Sequence, residues 1–320
     1  MASSTPPFSV QAMIPINTLH PVNPGDDPKV WVFHNLLAGQ GVCGFAFARS
    51  GEELQTACLL VNLAQHTQRI LHTLCAEGRL YERPTTLLAL AALRPGEIVI
   101  DVGAHVGLLS ILSRLAVGTD GVIHAFEPLP ETYARLRDNI VLNGYTNVFA
   151  HPQALSDKAG EAVFYLNTEN EGESSLLAEF GTPACLVDVS TLDRAFPAAE
   201  TRLPRRPRLL KLDVEGVEIN VLRGGERFFA DWAPDLVFCE INVGALQANG
   251  SSEAQIRHFL AERGYRCAVV NNGLPGLRLN TANYYRYLGT NEPSAQPDNS
   301  YVYNLMFVRE ESGLYPQPAL

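Results

Sequence analysis

The stretch Ile98-Val99-Ile100-Asp101-Val102-Gly103-Ala104-His105-Val106-Gly107 decides the fold. Its first five residues read as a buried strand. Gly103 and Gly107 then bracket a tight turn, and the apolar residues 108–115 read as a helix that the turn opens. Glycine admits positive φ and lets the backbone approach a ligand closely. A helix N-terminus adds free N–H groups and the positive end of its dipole. The spacing is D-x-G-x-x-x-G, one residue longer than the G-x-G-x-x-G that cradles a pyrophosphate. Asp101, a carboxylate at the strand end, would repel a pyrophosphate and suits a ligand carrying a sulfonium and an ammonium. Glu127 follows Gly107 by about twenty positions, at the end of a second apolar run. An acid there can accept hydrogen bonds from both hydroxyls of a ribose, and Pro128 behind it ends the strand. These features favour S-adenosylmethionine over a dinucleotide.

Working outward, apolar runs at 97–101, 122–126, 147–151, 208–213, 235–241, 265–270 and 301–308 read as strands. Helical spacing covers 106–115, 130–143, 217–230 and 252–263. Such alternation predicts an α/β fold, a Rossmann-like parallel sheet with helices on both faces and its ligand at the carboxyl ends of the strands. Asp101, Glu127 and Asp213 all end strands, and converging carboxylates are costly unless a cation sits among them.

Residues 1–29 read as a proline-rich leader, 30–50 as a hairpin, and 51–77 as a helix carrying Leu59, Leu60, Leu63, Ile70, Leu71 and Leu74. A further helix covers 87–93. The chain thus divides into a mostly helical N-terminal extension, 1–80, and a cofactor domain, 81–320. The extension serves equally as a substrate lid or as the arm of a homodimer. Residues 160–192 read as an inserted hairpin, and 271–300 as an irregular segment placed where a substrate cover could sit.

The 320 residues are 46% hydrophobic and 18% charged, as in ordinary globular proteins. A net charge of −10 argues against a nucleic-acid partner, which needs a basic face. The arginines between 202 and 208 read as a solvated loop. None of the six cysteines makes a C-x-x-C or metal-ligand spacing, so they read as reduced thiols of a cytoplasmic protein. No signal peptide and no membrane span is expected.

Four stretches resemble the FkbM-type family of S-adenosylmethionine-dependent methyltransferases. They are Asp101–Gly107; Ala125–Pro128 with Asn139–Gly144; Ala154–Asp157 with Glu173–Leu176; and Lys211–Gly216 followed by Val221–Gly225. The resemblance implies a seven-stranded class I methyltransferase sheet whose last strand, about 301–308, is antiparallel. It also implies transfer of a methyl group to hydroxyls of natural products or sugars. By the same resemblance, Asp101, Gly103 and Gly107 line the methionine and ribose end, and Glu127 holds the ribose. Gln153, Ala154 and Ser156 lie beside the adenine. His105 stands where the family often has asparagine.

An alcohol acceptor must lose its proton. Asp213, Glu215, Glu240 and His105 are candidate bases near strand ends. Strand alternation puts Lys211, Asp213 and Glu215 on one side, so Lys211 and Asp213 read equally as a structural ion pair or a catalytic one. Alternatively Asp213, Glu240 and Asn242 supply hard oxygens for Mg²⁺ or Mn²⁺, an arrangement similar to that of catechol-type O-methyltransferases. Ser174 and Ser175 could meet cofactor or substrate. The leading expectation is an O-methyltransferase acting on a small hydroxylated molecule. An N-methyltransferase, an NAD-dependent oxidoreductase and a scaffold without catalysis are the alternatives. The Asn/Asp-Pro-Pro-Tyr motif of amide and nucleobase N-methylation does not occur.

Overall fold

The computed structural model describes residues 20–21, 29–37, 40–178, 181–197, 203–270, 285–289, 292, 294 and 302–314. The chain opens with β1 (His20–Pro21), β2 (Lys29–Leu37), β3 (Gln40–Ala48) and β4 (Gln55–Val61), then α1 (His66–Ala76) and α2 (Arg83–Ala92). β5 (Ile98–Val102), α3 (Leu108–Val117), β6 (Val122–Phe126), α4 (Pro130–Leu142) and β7 (Val148–His151) begin the regular alternation. β8 (Gln153–Leu155), β9 (Gly160–Leu166), β10 (Thr182–Ser190) and the short α5 (Leu192–Ala195) interrupt it. It resumes with β11 (Leu209–Leu212), α6 (Glu218–Arg223), α7 (Glu226–Asp231), β12 (Leu236–Asn242), α8 (Val243–Ala248), α9 (Glu253–Ala261) and β13 (Tyr265–Val270), before β14 (Tyr285–Tyr287) and β15 (Val302–Arg309).

The large sheet has the order β14-β13-β15-β12-β11-β5-β6-β7. β11, β5, β6 and β7 run parallel, and β15 lies antiparallel between β12 and β13. β5 and β11 therefore stand at the centre, with apolar residues buried on both faces, as a doubly covered parallel sheet requires. Their carboxyl ends, Asp101-Val102-Gly103 and Leu212-Asp213, emerge side by side and set the place of the site. The expected seven strands are present. An eighth, β14, comes from the segment read as irregular, because three residues are too few to show a period. The rest of that segment's proposed substrate cover, and the leader, fall almost wholly outside the described residues.

The extension corrects the sequence reading. Among its described residues it is not mostly helical: β1 to β4 form an antiparallel sheet, and α1 is the one α-helix described before residue 80. Leu59 and Leu60 fit a helical spacing but lie on β4, paired with β3. β4's outer edge is closed by two side chains, Asn139 of α4 and Asn143, the residue that caps its C-terminus. Asn139 Oδ1 accepts the Leu60 N–H at 2.7 Å, and Asn143 Oδ1 accepts the Cys58 N–H at 2.8 Å. Their amides donate back to the carbonyls of Leu60 and Cys58 at 3.2 and 2.7 Å. Two asparagines four apart on one helix face thus imitate a pairing strand and blunt the edge. The extension packs on its own cofactor domain, sharing one apolar core with α3 and the large sheet.

The helix expected over 217–230 is split into α6 and α7 at Gly224-Gly225. A Cβ at Gly224 would collide with the Ser156 carbonyl. The inserted hairpin is confirmed as β9 against β10. All six cysteines are free thiols, and among the described residues no helix is long and apolar enough to cross a membrane.

Candidate active site

Gly103 closes β5 at φ +78°, and a Cβ there would strike the carbonyl oxygen of Asp213. Only glycine lets the ends of β5 and β11 meet this closely. Gly107 has φ +95°, and a Cβ on it would come within 2.6 Å of Leu136 on α4. Its glycine therefore serves close packing of the α3 start. Asp101 lies beneath the loop, fully buried, and Oδ2 accepts from Ser110 Oγ at 2.7 Å.

The amides of Gly103, Ala104, His105 and Gly107 are already engaged. Gly103 and Ala104 N–H donate to the Phe126 carbonyl at 3.0 and 2.9 Å, and His105 N–H donates to Glu127 Oε2 at 3.0 Å. Glu127 Oε1 accepts the Leu129 N–H at 3.0 Å. The loop therefore presents a carboxylate and not a cradle of free N–H groups. Such a loop suits a ribose diol and a cationic ligand better than a pyrophosphate. Burial pushes the Glu127 carboxyl up to about 7, against two backbone N–H bonds that pull it down. Burial pushes the His105 imidazole down to about 4, so the ring is neutral at pH 7.

A cavity of about 380 Å³ runs over these strand ends. Gly103, His105, Glu127, Gln153 and Ala154 line it, and so do Glu82, Lys211, Asp213, Glu215, Glu240 and Asn242. Ser156 does not join them: its N–H donates to the Ser190 carbonyl and its hydroxyl to Asp157, outside the cavity wall. Asp101 and Gly107 also support the wall without lining it. Ser174 lines it, whereas Ser175 is buried behind it and donates to the Glu215 carbonyl at 2.7 Å.

Lys211 Nζ lies 2.7 Å from Asp213 Oδ2, 3.3 Å from the Gly103 carbonyl and 3.9 Å from Asp101 Oδ1. Burial alone would lower the lysine's proton affinity, but Asp213, Asp101 and Glu82 raise it, so the ammonium is retained. Around this pair stand acids whose proton affinity is raised. Burial first, and the neighbouring Asp213 charge second, raise Glu215 and Glu240 well above the carboxylate range, and raise Glu82. Glu82 and Glu240 are hydrogen-bonded to each other, and Asn304 also bonds Glu82.

Oxygens of Asp213, Glu215 and Glu240 lie within 4.8 Å of one another, close enough to gather a metal ion. Asn242, beside them in the cavity wall, accepts the Ala245 N–H at Oδ1 and caps α8, while its amide donates to Glu215 at 3.0 Å.

Sequence reasoning missed Tyr81, Glu82, Thr85 and Thr86, which bring the junction before and within α2 onto the cavity. The Arg83-Pro84 start of α2 marks Glu82 as a helix-entry residue. Nothing local shows that it adopts φ +44° and faces the acids of β11 and β12.

Glu218 supports the site from behind. Its Oε1 accepts the Val214 and Gly216 N–H groups at 3.1 Å, and burial pushes it up to about 7. A folded-state value above the ordinary 4.5 binds the proton more tightly when folded. Its stabilising contribution is therefore full below pH 4.5 and is lost as pH rises to about 7, on the order of 3 kcal/mol. Glu218→Gln keeps the Oε1 acceptor and removes the titration. Thermal melts from pH 4.5 to 7 are expected to fall less steeply in the variant than in the parent; equal slopes would contradict this assignment.

The profile of the methyltransferase FkbM domain matches residues 101–267, just over half of the chain. The 31-O-demethyl-FK506 methyltransferase FkbM of Streptomyces tacrolimicus is 32% identical over 168 residues, 44% of this chain and 63% of that protein. Methyltransferase 1 of Beauveria bassiana is 26% identical over 147 residues, 39% of this chain and 57% of that protein. The chain thus spans less than two thirds of the length of these curated relatives. Among solved structures, a SAM-dependent O-methyltransferase from Thermotoga maritima matches at TM-score 0.38 and 12% identity, over 82% of this chain and 77% of that one.

Proposed function

The chain belongs to the family of the methyltransferase FkbM domain, and on that premise we propose that it is an S-adenosylmethionine-dependent O-methyltransferase acting on a hydroxyl of a small molecule. The observation that carries the reading is the one cavity shared by the Glu127 carboxylate and the Lys211–Asp213 pair. When bound, S-adenosylmethionine supplies a methyl group already activated by its sulfonium.

The remaining work falls to the chain. Glu127 accepts the ribose hydroxyls with the lone pairs left by its two backbone bonds. Gln153 and Ala154 wall the adenine side. Lys211 pairs with Asp213, whereas burial raises the proton affinity of Glu215 and of the Glu82–Glu240 pair. Acids whose environments differ in this way divide the labour. Asp213 takes the proton of the acceptor hydroxyl, while the surrounding glutamates orient its other oxygens. Holding the acceptor in line supplies ~7–11 kcal/mol of barrier reduction. α1 and α2 exclude water from above through Thr67, Leu71, Thr85 and Thr86. The Streptomyces tacrolimicus relative, whose name specifies an O-demethyl substrate, supports oxygen as the acceptor atom.

A metal-assisted route is the second reading, because Asp213, Glu215 and Glu240 gather their oxygens. Against it, the Lys211 ammonium already occupies the cation's place beside Asp213. The test is transfer of labelled methyl from S-adenosylmethionine into a fractionated metabolite extract, with EDTA or with added Mg²⁺. The side-chain route predicts an O-methylated small product formed equally in both arms. Loss of label with EDTA, restored by Mg²⁺, favours the metal. An N-methylated product, or label in macromolecules only, overturns the reading.

A further inference from the structure

The inserted loop between β9 and β10 grips the extension directly above the cavity. Glu171 Oε2 and Oε1 accept the N–H groups of Thr67 and Gln68 at 3.1 Å each, in the first turn of α1. Thr67 Oγ1 donates to Asn170 Oδ1 at 2.7 Å. Gly172 approaches so closely that a Cβ would lie 2.6 Å from Thr67 Oγ1. The carboxylate therefore satisfies orphan donors of α1 and complements its dipole, while almost wholly buried. Thr67 and Leu71 on one side of this contact, and Asn170 to Glu173 on the other, are all cavity wall.

The same carboxylate faces the cofactor loop. His105 Nε2 lies 3.9 Å from Glu171 Oε1, and the His105 N–H is held by Glu127. His105 sits at φ +51°, a conformation that a non-glycine residue keeps only under constraint. Glu127, His105 and Glu171 thus follow one another to the start of α1, joined by hydrogen bonds at both ends and by a 3.9 Å approach between the His105 ring and Glu171.

We propose that Glu171 is a positioning residue: it clamps α1 over the cavity and ties that closure to occupancy of the Glu127 end. The inference rests on the reading that the cavity holds the cofactor. A ligand that fixes Glu127 and His105, and touches both sides of the wall, binds the clamped form better than the open one. It must therefore shift the population toward closure.

Hydrogen exchange of α1, with and without S-adenosylhomocysteine, tests this beside calorimetric binding of the same compound. In the parent, S-adenosylhomocysteine is expected to slow exchange across residues 69–76 by about ten-fold or more, within the usual range of coupling between sites. In Glu171→Gln that protection is lost and the bound compound leaves about ten-fold faster. Thr67→Val, which removes the bond to Asn170, loses part of it. Glu169→Gln, on an exposed neighbour outside the contact, behaves as the parent. Binding with no added protection of α1 overturns the clamp alone. Equal loosening of α1 by Glu171→Gln with and without the compound makes the contact merely structural and also overturns it. No binding at all overturns the cofactor reading, and the clamp with it.

Discussion

Asp213→Asn is expected to slow methyl transfer by roughly 10²–10⁴-fold while S-adenosylhomocysteine still binds within a few-fold of the parent. The substitution keeps the shape and removes the proton acceptor at the acceptor end of the cavity. Lys211 loses the charge of its 2.7 Å partner but keeps the Gly103 carbonyl and, at 3.9 Å, Asp101. The backbone contact between the ends of β5 and β11, where Asp213 N–H donates to the Val102 carbonyl at 3.1 Å, is untouched. Turnover of the labelled product, measured beside binding, separates the two effects. Activity within three-fold of the parent, at about full binding, would remove Asp213 from the chemistry and pass the role to Glu215 or the Glu82–Glu240 pair.

Glu127→Ala is expected to weaken S-adenosylhomocysteine by at least about 100-fold. Hydrogen bonds to a charged group are worth about 1.5–3 kcal/mol each, and the variant forfeits those to both ribose hydroxyls. It also frees the N–H groups of His105 and Leu129, which Glu127 holds at 3.0 Å. The parent should show a matching pH dependence. Because burial raises Glu127 to about 7, the free protein carries the carboxylate above that pH and the acid below it. Accepting two hydroxyls favours the carboxylate, so affinity should fall as pH drops below about 7. The slope should disappear in Glu127→Ala. Undiminished affinity in the variant would move the ribose elsewhere.

Much of this arrangement is legible in the residues because periodicity and turn chemistry are local. The strand–glycine–helix run at 98–107, the acid at 127 and the successive strands up to 302–309 each carry their own signal, and the sheet follows from their alternation. The extension illustrates what is not local. Leu59, Leu60 and Leu63 fit a helix as well as a strand, and what makes 55–61 a strand is pairing with β3 and with Asn139 and Asn143, about eighty residues away. Gly103, His105 and Glu127, which line the cavity, carry that local signal too. The cavity's acceptor end depends on Glu82, whose backbone at φ +44° and contact with Glu240 exist only once α2 has packed. Ser156 and Asn242 show the opposite case. Each has a suitable side chain near a strand end, but Ser156 faces outside the cavity wall and Asn242's oxygen already caps a helix.

The most direct test of the assignment of the two cavity ends is a crystal structure of the protein with S-adenosylhomocysteine. The expected result places the ribose hydroxyls on the Glu127 carboxylate, the adenine beside Gln153 and Ala154, and the sulfur facing Asp213 and Lys211. A complex with the ribose away from Glu127, or with the sulfur turned from Asp213, would contradict it.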